Sequence, residues 1–146
     1  MTTPDVPQTL HELLRLALDD FDIVTQQPDV KVEMGLWKRT SQDNVCHLCL
    51  AGAVMRNTFN IAQDVDGLSL DAFFTQPWVW AFTAIDHMRM GYVENALLFL
   101  KYDKITFDEK CKARKLDFDP TSYYRNPAKW RTEMEKLYLD LKADNL

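Results

Sequence analysis

The sequence predicts a mainly α fold: a single globular domain over residues 1–146, built as a bundle of about five helices with a small β-hairpin near residues 22–37. Three observations lead there. Apolar residues recur at helical spacing in several separate stretches, helix-start signals stand just before them, and only one stretch, Val30 to Leu36, alternates with period two. Composition agrees, with 47% apolar and 12% aromatic residues but only four glycines and six prolines. A chain of this length buries roughly two thirds of the surface its unfolded form exposes, so a real core is expected without a disulfide or metal staple.

The first helix is predicted from Thr9 to about Asp20. Thr9-Leu10-His11-Glu12 fits a capping box, in which hydroxyl and carboxylate each satisfy a free backbone N–H, and Leu10, Leu13, Leu14, Leu16 and Leu18 form a broad apolar face. Asp19, Asp20 and Asp22 then crowd the negative end of the helix dipole, which marks that end as frayed or functional. Next, Val30, Val32, Met34 and Leu36 alternate with Lys31, Glu33 and Gly35 as in a strand. Its nearest partner is Asp22 to Gln26, across a turn at Gln27-Pro28-Asp29. Lys38 to Asn44 reads as a polar loop, with Asp43 or Asn44 capping a second helix over about 44–58. That helix is expected to be central, because Val45, Cys46, Leu48, Cys49, Leu50, Ala53 and Val54 spread apolar character around it. Ala51-Gly52-Ala53 would let a neighbouring helix approach closely.

Ser69 to Phe74 reads as one short helical turn. Thr75-Gln76-Pro77 then supplies a cap and an early proline for a third helix over about 76–90, with Trp78, Ala81, Phe82, Ile85 and Met88 on one face and Gly91 as its stop. A fourth, Tyr92 to Lys101, turns Val93, Ala96, Leu97 and Leu100 inward. Thr106-Phe107-Asp108-Glu109 opens a short helix to about Arg114, and Leu116 to Arg125 reads as loop. Asn126-Pro127 caps the last helix, whose Trp130, Met134, Leu137, Tyr138 and Leu141 form a stripe opposite Arg131, Glu135 and Lys142.

A net charge of -5 and a pI near 5.1 argue against a general nucleic-acid binder, which needs a basic surface to displace counterions from phosphates. No apolar run approaches the ~20 residues that cross a bilayer, so no membrane partner is expected. The first residues lack a secretory pattern, and with an odd count of three cysteines this points to the reducing cytoplasm.

Cys46-His47-Leu48-Cys49 is the segment that looks chemical. Cys46, Cys49 and Cys111 with one of His47 or His87 could supply four ligands suited to zinc, but no second close ligand pair accompanies the C-x-x-C. A redox dithiol needs a strand running straight into the motif, and Thr40 to Asn44 reads as loop. Packing is the favoured reading: on a helix both thiols point into the crowded apolar face, and His47 faces solvent. Asp64-Val65-Asp66-Gly67 resembles the opening of a calcium loop, yet residue 73 is Phe where that pattern wants glutamate, which leaves an Asp-Gly turn.

Asp86-His87-Met88-Arg89 is the strongest polar cluster. Helical phasing sets Arg89 inside the apolar stripe beside Phe82 and Ile85, and Asp86, three residues earlier, is the partner within reach. The alternative is that Asp86, Arg89 and Glu94 line a cleft. Trp80 falls off the main stripe of its helix and Leu139 sits opposite the apolar face of the last, so both are candidate anchors for a partner. No phosphate loop, nucleophile elbow or H-E-x-x-H is present. An enzyme is therefore disfavoured, and no catalytic residue, metal ligand or cofactor is assigned.

The segments Cys46-His47-Leu48-Cys49-Leu50-Ala51-Gly52-Ala53-Val54-Met55 and Ala84-Ile85-Asp86-His87-Met88-Arg89-Met90-Gly91-Tyr92-Val93 resemble small bacteriophage-encoded proteins of unassigned function. In those a C-x-x-C-L-A-G-A-V segment precedes a D-x-x-R-x-G-x-V corner. The resemblance brings no established activity. It implies a phage accessory protein inside a bacterial cell, and with the size, mild acidity and motif content it leads to one expectation. The chain is a non-enzymatic binder that inhibits or redirects a host protein, a defence or transcription component, through Trp80, Asp86, Arg89, Glu94 and Leu139. Two other readings stand beside it: a small-molecule-binding domain or enzyme with a pocket near Asp86, Arg89 and Glu94, and a zinc-dependent interaction module. The oligomeric state is left open.

Overall fold

A computed structural model of the chain describes residues 7–59, 61, 64–66, 79–93, 96 and 122–146. Among the described residues the helices expected of a bundle are joined by a small sheet, so the arrangement is mixed α/β. Among the described residues four helices, α1 (Leu10–Val24), α2 (Leu50–Asn57), α3 (Val79–Arg89) and α4 (Pro127–Ala143), accompany a three-stranded sheet of β1 (Val30–Val32), β2 (Lys38–Thr40) and β3 (Cys46–Leu48). The expected helical segments at 69–74 and 106–114 lie outside the described residues. Of the expected helix over 92–101, Val93 and Ala96 are helical, and the Ala96 N–H donates to the Tyr92 carbonyl at 3.1 Å.

The first helix starts where the capping box places it, with Thr9 Oγ1 accepting from the Glu12 N–H at 3.3 Å. It does not fray at Asp20. Phe21 and Val24 prolong the buried stripe of Leu10, Leu13, Leu14, Ala17 and Leu18, so four more residues stay helical to keep that stripe covered. The acidic end is held by groups from distant parts of the chain. Asp20, only 4% exposed, accepts from Asn57 Nδ2 at 2.8 Å and from the Thr58 hydroxyl at 2.5 Å, and Asp22 pairs with Arg131 at 2.8 Å. Because residues 22–24 are spent on the helix, the hairpin expected near 22–37 does not form.

The sheet has the order β1-β3-β2, with β1 parallel and β2 antiparallel to β3. Two elements expected otherwise thus turn out to be strands: Lys38–Thr40, expected as loop, and Cys46–Leu48, expected as the start of the second helix. A tight connection joins them, in which the Ser41 N–H donates to the Val45 carbonyl at 2.9 Å and Asn44 takes a left-handed φ of 61°. The Asp64 and Asp66 carboxylates do more than make a turn. They accept from the N–H groups of Thr40 (2.8 Å), Lys38 (2.8 Å) and Trp37 (3.1 Å), and so cover the free edge of β2.

Helix α2 begins only after Cys49 and packs on α1, α3 and the sheet. Gly52 is the close-approach residue that its neighbours suggest, but what approaches is backbone: a Cβ there would collide with the Trp37 carbonyl oxygen. Helix α3 ends at a left-handed Gly91, φ 84°, with the Gly91 N–H on the Met88 carbonyl at 3.0 Å and the Tyr92 N–H on the His87 carbonyl at 2.8 Å. This double closure satisfies carbonyls the helix leaves free, and the Tyr92 and His87 rings add a contact across it, 6.3 Å between centroids. Helix α4 opens as expected on Asn126, whose side chain accepts from the Lys129 N–H at 3.1 Å, followed by Pro127. Its stripe of Trp130, Met134, Leu137 and Leu141 is buried against α1.

Candidate functional site

The two nearby thiols lie on different elements from those expected. Cys46 is on β3 and Cys49 is the residue capping α2, so a strand does run into the motif, and its supposed absence is no argument against redox chemistry. Burial is the stronger argument. Both are free thiols and both are 2% exposed. At a helix start the N–H groups of Gly52 and Ala51 favour a thiolate, but loss of water outweighs them and pushes the Cys49 thiol up to about 11. It is therefore protonated at neutral pH, with its sulfur 3.8 Å from the Trp37 carbonyl oxygen. His47, between them on β3, points to the opposite side of the sheet and is half-buried. Among the described residues no group of three or more His, Cys, Asp or Glu is placed to hold a metal ion, and Cys111 lies outside them.

Asp86 and Arg89 meet as the helical phasing requires, with Arg89 Nε and Nη2 donating to Asp86 Oδ1 at 3.0 and 2.8 Å. Arg89 is only 8% exposed, so its partner is a condition of its burial there. The pair acts on its surroundings. Asp86 and Arg89 exert opposing influences on the Cys49 thiol, and Arg89 also lies within electrostatic reach of the Tyr124 phenol. That phenol accepts from the Met34 N–H at 2.5 Å and donates to Glu33 Oε1 at 3.4 Å. Burial of the hydroxyl end, reinforced by Glu33 and opposed by Arg89, raises its pKa, although Tyr124 as a whole is 57% exposed.

Trp80 and Leu139 do not join this cluster. Trp80 is half-buried and packs against the core, while Leu139, 56% exposed, stands on α4. Glu94 lies outside the described residues. Two aromatics that sequence reasoning did not single out are more prominent: Tyr92 at 56% exposed, just beyond α3, and Tyr124. The available signal for Tyr92 was its position directly after a helix-ending glycine, which carries the chain out of the core.

A separate groove of about 360 Å³ runs between α1 and α4, bordered by His11, Glu12, Arg15, Leu16, Asp19, Tyr138 and Lys142. None of the predicted site residues among those described lines it. The Arg15 and Lys142 cations lie over the Tyr138 ring, 4.8 and 5.8 Å from its centroid. Beside the groove an ion-pair ladder ties the helices together: Asp19 to Arg15 at 3.0 Å, Arg15 to Glu135 at 2.5 Å, Glu135 to Arg131 at 2.6 Å and Arg131 to Asp22 at 2.8 Å.

Compared with protein families, curated proteins and solved structures, the chain matches none. No helix among the described residues is long and apolar enough to cross a membrane.

Proposed function

We propose that the chain is a non-enzymatic phage accessory protein that binds a bacterial host protein, a defence or transcription component, and inhibits or redirects it. One observation carries the reading: Tyr92 and Tyr124 stand more than half exposed near the end of α3, where Arg89 and Asp86 are already committed to each other. Exposed tyrosines have a rigid, amphipathic side chain and lose little conformational entropy on binding, which is why they concentrate where protein partners dock. The groups that invite a chemical reading have other duties here. Cys49 is held protonated, and the Asp86–Arg89 pair satisfies its own buried charge. Leu139 on α4 offers a further apolar contact.

Affinity capture from bacterial lysate tests this reading. A stoichiometric protein partner is expected with the wild-type chain, and the double variant Tyr92→Ala/Tyr124→Ala is expected to lose it while still folded at the capture temperature by circular dichroism, with a lower melting temperature because the Tyr124 bonds to Met34 and Glu33 are gone. Recovery of no stoichiometric partner, or of one indifferent to both tyrosines, would count against the proposal.

A further inference from the structure

The edge of β2 that faces away from β3 is closed by Asp64, Val65 and Asp66. Hydrogen-bonding groups alternate between the two edges of an antiparallel strand, so those of Lys38 and Thr40 share one edge. On that edge the Lys38 and Thr40 N–H groups donate to the carboxylates of Asp66 and Asp64, both at 2.8 Å, and the Lys38 carbonyl accepts from the Val65 N–H at 2.9 Å. The second Asp66 oxygen extends the cover to the Trp37 N–H at 3.1 Å. Val65, only 4% exposed, packs into the core between the two aspartates and fixes the segment against the strand.

Three of these four bonds come from side chains, which distinguishes the segment from a fourth strand. A strand would present a new edge with donors for a further chain, whereas a carboxylate only accepts, and so ends the ladder. The covered edge is also self-complementary. In a symmetric antiparallel pair centred on Arg39, Lys38 of each copy stands opposite Thr40 of the other, and the donors and acceptors that the segment now holds would meet their own counterparts. Arg39, exposed at the centre of β2, would then face the same residue of the second copy. That like-charge contact opposes the pair, in the same direction as the segment does.

We infer that residues 64–66 are a releasable strap on the sheet: closed, it keeps β2 from pairing with β2 of a second copy of this chain, and opened, it exposes an edge that pairs with that copy. The contacts that hold it are the four hydrogen bonds and the buried Val65 side chain, none of which belongs to the β2–β3 ladder. The strap therefore opens without unpairing the sheet, as a local event of lower free energy than global unfolding.

Sedimentation of the full chain tests it, with circular dichroism checking that each variant is folded. Arg39→Thr removes the like-charge contact and leaves the strap in place, so it is expected to sediment at the wild-type mass. Adding Asp64→Ala/Asp66→Ala to it is expected to give a concentration-dependent species of about twice that mass. Thr40→Pro on top of these deletes a donor from the opened edge and no ladder bond to β3, and is expected to abolish that species. Hydrogen exchange on the wild-type chain tests release without any substitution. The Lys38 and Thr40 amides are expected to exchange well before those of Cys46 and Glu33, which donate to backbone carbonyls of the β1–β3 ladder. A folded alanine variant that keeps the mass of the Arg39→Thr chain overturns the inference. So does a dimer that Thr40→Pro leaves intact, or exchange of all four amides together.

Discussion

The two faces of the small sheet show how differently neighbouring residues of one strand are used. On the inner face Cys46 and Leu48 are packed to near-complete burial, and the same packing continues through Cys49 to Gly52, whose α-carbon lies against the Trp37 carbonyl. On the outer face the residue between those two, His47, stands in register between the exposed Lys31 and Arg39. The C-x-x-C motif therefore belongs to the interior, and its chemical appearance is an accident of small apolar volume.

The largest expected effect lies on the inner face. Gly52→Ala forces a methyl into backbone that has no side-chain freedom to yield, and is expected to cost about 3 kcal/mol in denaturant unfolding. A variant within 0.5 kcal/mol of wild type would show that α2 can shift off the Trp37 carbonyl, and that the inner face is looser than this comparison holds. Next comes Asp20→Ala, which leaves the Asn57 and Thr58 donors unmatched at the α1–α2 junction and is expected to cost about 2 kcal/mol. Labelling of the native protein with a thiol reagent at pH 8 should leave Cys46 and Cys49 unmodified until the chain is unfolded, and rapid native modification of either would move the motif out of the packed interior.

The α1–α4 seam extends the comparison to charges, which stand there in ion pairs. Glu135→Gln is expected to destabilise by no more than about 1 kcal/mol at pH 7, since 39% of the Glu135 side chain is exposed and solvent screens its two ion pairs. The Arg15 hydrogen bond, with Arg131 adding to it, holds the Glu135 carboxyl below its ordinary value of 4.5. A depressed folded pKa gives stability that is fully present above 4.5 and is lost as pH falls through the folded value. The melting-temperature gap between wild type and Glu135→Gln should therefore close in acid, and a gap that persists there would make its origin steric. Asp20 has the opposite sign. Burial raises its pKa, so its ionised form is a cost at neutral pH that acid relieves, and it does not drive acid unfolding. The smallest effect is at the outer face of the sheet, where Lys31→Glu sets a carboxylate between Asp29 and Glu33 and should lower the melting temperature slightly. An unchanged or raised melting temperature would show that those two carboxylates do not feel position 31.

Much of the helical part was legible in the sequence because its signals are local. The Thr9 and Asn126 caps, the Gly91 stop, the Trp130 to Leu141 stripe and the Asp86–Arg89 pair each depend on spacings within one helix, where geometry follows from sequence separation alone. Cys46–Leu48 was misassigned because a stretch apolar on all sides carries no period to separate strand from helix. The clue lay in the single polar residue, His47, between two that are buried. Lys38–Thr40 has no apolar alternation, and its strand exists because β3 pairs on one side and two aspartates cap the other.

By itself, then, the sequence determined where α1 and α4 begin, where α3 ends and which apolar stripes must be buried, since cap chemistry and apolar periodicity act over a few residues. Only the tertiary structure decided that Val24 continues a helix, that Cys46 lies in a strand, and that Lys31, His47 and Arg39 form one row. The physical reason is that strand pairing and register join residues across intervening loops, where no local spacing encodes the partner, and a shift of one residue would turn every side chain to the other face.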